Sequence, residues 1–111
     1  MNHQFGYLLS LVYDRSGGAM SMAPKVLEES GLIYWFHSHD ALNEDRASVH
    51  VGKGSQDDYN DAKVWLEPTI QVARAGRTLR DYELRRSLKV IEQNWEYLLE
   101  EWYDYRHRSR R

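Results

Sequence analysis

A chain of 111 residues, 41% hydrophobic and 29% charged, fits one domain with one buried core. A net charge of −2 excludes a polycation built to coat nucleic acid. The absence of cysteine excludes disulfides and thiolate metal sites and fits a reducing cytosol, so a cytoplasmic protein is expected.

No stretch approaches the roughly 18 apolar residues of a membrane span. Residues 1–22 stand apart. The apolar run from Phe5 to Tyr13 lacks the positive start and small-residue cleavage site of a secretory signal. It reads as an N-terminal arm or edge strand, followed by a link of small residues over 15–21. A single domain is expected over 23–111. Residues 26–31 form a short extended piece closed by a turn. Residues 32–38 are rich in β-branched and aromatic side chains and predict a strand, with Ile33, Trp35, His37 and His39 on one face. Residues 40–46 read as a loop. A second strand is expected over 47–51, a third over 62–67 up to Pro68, and a fourth over 69–74.

The firmest element is a helix over 78–105, where Leu84, Leu88, Ile91, Trp95, Leu98, Trp102 and Tyr105 recur at alternating spacings of four and three. Thr78 and Asp81 have the spacing of a capping box at its start. About 28 helical residues would span roughly 40 Å, longer than a domain of this size. The helix must therefore bend or break near Asn94, or pack its far end elsewhere. The expected fold is α+β: a small antiparallel sheet of three to four strands on one long C-terminal helix, ending in a basic tail.

Several motifs in this order resemble a prokaryotic domain family of unknown function, DUF4160. They are Pro24-Lys25-Val26-Leu27, Gly31-Leu32 with its aromatic strand, His39-Asp40, Val49-His50-Val51, Ala62-Lys63-x-Trp65-Leu66-Glu67-Pro68, Ala73-Arg74-x-Gly76 and Trp102-x-x-Tyr105. The likeness extends over about 24–105. It implies a fold more than an activity, and a place beside a second small protein in an arrangement resembling a toxin–antitoxin pair. The family's usual Pro-Pro-His-Val-His-Val run is altered here. The diproline is absent, Ser48 replaces the first histidine, and His39 and His50 remain.

For chemistry, the candidates are His37, His39, His50 and Asp40, a set that could move protons for phosphodiester cleavage. Metal ligation wants three or four converging groups, whereas the sequence guarantees two on one face, so no metal and no cofactor are expected. Arg74, Arg77, Arg80, Arg85 and Arg86 near the helix start, with Arg108, Arg110 and Arg111 in the tail, could contact phosphates. Interleaved carboxylates weaken that reading. The aromatic helix end, Trp95, Trp102, Tyr103 and Tyr105, marks a candidate surface for a small protein partner or a second copy of the chain. A protein-interaction or regulatory module is the favoured expectation. A nucleic-acid-binding protein, or an RNA-acting toxin using the strand histidines, is the alternative.

Overall fold

The computed structural model describes residues 24–109. The expectations for residues 1–22, Arg110 and Arg111 lie outside that span. Five strands form one antiparallel sheet in chain order: β1 (Lys25–Glu29), β2 (Leu32–Trp35), β3 (Ser48–Lys53), β4 (Ala62–Trp65) and β5 (Gln71–Arg74). Between β2 and β3 lies a short helix, α1 (Ser38–Asn43), and the chain continues through α2 (Asp81–Gln93) and α3 (Trp95–Ser109).

The sheet therefore has one strand more than expected. The piece over 26–31 is not isolated: it pairs with β2 through a two-residue turn in which Ser30 and Gly31 both take positive φ, 54° and 82°. That is the backbone a tight hairpin needs, and Gly31 adopts it without a Cβ penalty.

Alternation sorts the sheet into two faces. Leu32, Tyr34 and Phe36, then Ala47, Val49 and Val51, then Ala62, Val64 and Leu66, join Val90, Ile91, Leu98 and Trp102 of the helices in one core. The helical stripe is the seam of that core, with Leu84, Leu88 and Tyr105 packed at its margins. It is not one rod. The helix stops at Asn94, whose φ and ψ of −115° and 22° leave the helical region, and α3 starts at the next residue. The break near Asn94 lets both halves follow the sheet. The helix also starts later than the Thr78–Asp81 spacing predicts. The Arg80 N–H donates to the Glu83 carboxylate at 2.9 Å, closing the first turn, while the Thr78 hydroxyl donates to Asp61. Among the described residues, no helix is long and apolar enough to cross a membrane.

Candidate functional site

The other face of the sheet carries the chemistry. Cross-strand register sets Trp35 of β2 beside His50 of β3, and His50 beside Lys63 of β4. Polar residues on alternate positions of adjacent strands thus fall into one row. The row is closed on one side by α1, and here the expected arrangement needs correction. The strand over 32–38 ends at Trp35, and the predicted loop over 40–46 begins inside a helical turn. His37 is the extended residue preceding α1, and Asp40 lies in its first turn. His39 is therefore not on a strand face with His37. It is exposed on α1, where the Asn43 amide nitrogen lies 3.1 Å from its Nδ1.

Helix formation swings the Asp40 side chain over the row. Its Oδ2 lies 3.0 Å from His50 Nε2, 3.4 Å from the Ser48 hydroxyl and 3.4 Å from Lys63 Nζ. Burial alone would raise the Asp40 carboxyl. The His50 hydrogen bond and the Lys63 charge outweigh it and hold the carboxyl at about 2. An ionised carboxylate only accepts, so His50 Nε2 carries the hydrogen. Lys63 also spans both oxygens of Glu44, at 3.0 and 3.1 Å.

His37 forms a second imidazole–carboxylate pair. Its Nε2 is 3.1 Å from Asp58 Oδ2, and its ring centre is 5.4 Å from that of His50. Trp35 packs against both rings, at 5.8 and 4.6 Å. The two pairs differ in access: the His37 side chain is 23% exposed and that of His50 is 3%. The Nδ1 atoms of both rings are buried without a hydrogen-bond partner. An imidazole held by a carboxylate can accept or donate a proton, and of these two only the His37 ring is open to solvent. Among the described residues, no three histidine or carboxylate groups converge with metal-ligand geometry.

A buried carboxylate fixes the loop that supplies Asp58. Asp61 is wholly buried and accepts from Trp35 Nε1 at 3.1 Å, Thr78 Oγ1 at 2.6 Å and the Asp57 N–H at 2.9 Å. It fits because Gly52 lies beneath it: a Cβ there would come within 2.1 Å of Asp61 Oδ2. Arg74 closes the same loop, donating to the carbonyls of Asp58 and Asp61.

The other predicted residues are scattered. Trp102 is fully buried, edge-on to Phe36 at 5.5 Å, and Tyr105 stacks on Phe36 at 6.1 Å. Trp95 is half-buried and donates to the Leu66 carbonyl at 2.6 Å, while Tyr103 is exposed and bonds Glu67. All four aromatics are thus engaged within the domain, and of them Tyr103 is the exposed one. Arg77, Arg80, Arg85 and Arg86 are exposed around the start of α2, and Arg108 lies exposed at the end of α3. Sequence reasoning missed Lys63, Asp58 and Trp35. The alternation of β4 carried a signal for Lys63, since Ala62, Val64 and Leu66 claim the core and leave Lys63 and Trp65 opposite.

This is an α+β meander with a histidine–carboxylate cluster on the face away from its two C-terminal helices. The chain belongs to the family described as Domain of unknown function (DUF4160), whose model matches residues 31–103. That span includes all of the cluster from Trp35 to Lys63. No curated protein and no solved structure matches the chain.

Proposed function

We propose that the chain is an acid–base enzyme that cleaves RNA, with His37 as the proton-transfer residue. The observation that supports this is the pair of neighbouring imidazoles, tilted by 31° to one another, His37 on Asp58 and His50 on Asp40. RNA brings its own nucleophile, so such a site can work without a metal. His37, the more open ring, takes the proton of a 2′-hydroxyl at Nε2, the nitrogen that faces the exposed Asp58, as that oxygen bonds phosphorus. The 5′-oxygen leaves with a proton from solvent. Asp58 orients His37, and the buried Asp40–His50 pair keeps α1, and with it His37, fixed to the sheet. The exposed arginines near α2 and the loop-bound Arg74 supply positive potential for the backbone.

Purified protein incubated with single-stranded RNA in EDTA tests the reading. Cleavage should fall by about 10²-fold or more in His37→Ala, with the circular dichroism spectrum unchanged. Intact RNA, or equal rates for the two proteins, would overturn it.

A protein-interaction module is the second reading, favoured by a different feature. Strand β5 is a sheet edge exposed along all four residues, and beside it Ile70, Val72 and Leu88 floor a groove of about 260 Å³. An added strand from a small partner protein would pair with β5 and seat apolar side chains there. Val72→Lys should then abolish co-purification of the partner at high salt and leave RNA cleavage intact.

A further inference from the structure

A groove larger than the one beside β5 lies next to the histidine row. It has a volume of about 610 Å³ and is lined by Glu44, Asp45, Arg46, Trp65, Glu67 and Pro68. That volume lies in the range of small-ligand sites. Trp65 is two residues from Lys63 on the same face of β4, and Lys63 touches both regions: its Nζ is 4.6 Å from the Trp65 ring centre and 3.4 Å from Asp40.

The groove has a flat, ordered platform. The Arg46 guanidinium lies 4.2 Å over the Trp65 ring. It is held in plane by donation to the Glu67 carbonyl at 2.7 Å and to Gln71 Oε1 at 3.0 Å. A guanidinium fixed on an indole presents a π surface whose ordering cost has been met in the free protein. Around it stand three carboxylates: Glu44 is paired with Lys63, Asp45 with Arg106, and Glu67 accepts from Tyr103 and from the Ala47 N–H. A carboxylate offers about four acceptor positions, so Glu44 and Glu67 can accept further hydrogen bonds beyond these.

We propose that this groove binds a guanine base. Stacking on the Arg46–Trp65 platform would supply sequence-tolerant affinity. Selectivity comes from the rim, which offers acceptors. Guanine presents two adjacent donors, N1–H and the N2 amino group, that match one carboxylate. Uracil presents a single ring N–H between two carbonyls, which the same rim repels. The inference deepens the RNA-cleaving reading and rests on it for its biological sense. Two strand spacings, about 10 Å, separate the Lys63 strand from the Trp35 strand.

Titration of the full chain with GMP, UMP and ribose 5-phosphate, followed by calorimetry and by the Trp65 indole N–H resonance, tests the proposal. The resonance is assigned from its loss in Trp65→Phe. GMP should bind and shift that resonance, UMP should bind at least about tenfold more weakly, and ribose 5-phosphate should not bind. Trp65→Ala should lose about tenfold or more in GMP affinity, and Trp65→Phe should recover part of it. Equal binding of GMP and ribose 5-phosphate, GMP affinity independent of Trp65, or no shift of the indole would each overturn it. GMP binding is read without cleavage, so the two proposals fail separately. His37→Ala should keep GMP affinity. A protein that binds GMP but leaves RNA intact keeps the groove and loses the acid–base reading.

Discussion

His50 Nε2 lies 3.0 Å from Asp40 Oδ2, joining the middle strand of the sheet to the short helix that follows β2. Both groups are nearly sealed from solvent, with side chains 3% and 8% exposed. The bond therefore does two things at once. It fixes the His50 tautomer by occupying Nε2, and it pins α1, and hence His37 at its N-terminal end, over the polar face.

The Asp40 carboxyl titrates near 2 rather than at its ordinary 3.8, so the folded state favours its charged form. That preference stabilises the fold by about 2 kcal/mol at neutral pH. It is complete above pH of about 4 and disappears as pH falls through about 2. Asp40→Asn should lose about that amount at pH 7, and the gap between variant and wild type should close on acidification. Urea denaturation of both proteins between neutral and strongly acidic pH measures it. A gap that stays constant would mean that the charge of Asp40 contributes nothing.

Gly52 and Asp61 form the second contact that builds the site. A Cβ at Gly52 would meet the Asp61 carboxylate at 2.1 Å, and that carboxylate is also bound by Trp35 and Thr78. It cannot step aside without giving up those bonds. Gly52→Ala should therefore cost about 1–3 kcal/mol or more, as overpacking does. In an Asp61→Ala background the same substitution should cost much less. A double-mutant cycle by chemical denaturation reads the coupling, and additive effects would refute the contact.

How far this site was legible in the sequence depends on the element. The strands on both sides of His50 follow from alternation, and the helical stripe identifies its core face residue by residue. What failed was the segment from His37 to Asn43. Its apolar content is low and its six-residue helix is too short for a 3.6-residue period to register, so a strand pattern running on through His37 and His39 looked continuous. Tertiary contacts decide that segment: Asp40 finds His50 and Lys63 only once α1 has formed. Asp58 was hidden for a similar reason. It lies in a polar loop whose path is set by Arg74 and by Asp61, the latter anchored by Trp35 and Thr78, long-range contacts that local pattern does not reveal. The turn closing residues 26–31 was legible from Gly31, but its role as a hairpin pairing β1 with β2, with Ser30 also at positive φ, was not.

Trp102 separates the inward from the outward use of the aromatic helix end. It is wholly buried against Phe36, whereas Tyr103, one residue on, is 43% exposed. Truncating a buried tryptophan costs about 3–5 kcal/mol, a large part of the roughly 5–15 kcal/mol that holds a small domain together. Trp102→Ala should thus lower the denaturant midpoint steeply and leave the domain barely folded. Tyr103→Ala removes a partly exposed ring and one surface hydrogen bond, and should cost far less, about 1 kcal/mol. If α3 also serves a partner, only Tyr103 of this pair can report on it, through loss of binding at unchanged stability. Guanidinium titrations of the two variants, read beside the wild type, check the contrast. Similar midpoints for all three proteins would place Trp102 outside the core, in solution, and return the end of α3 to the protein surface.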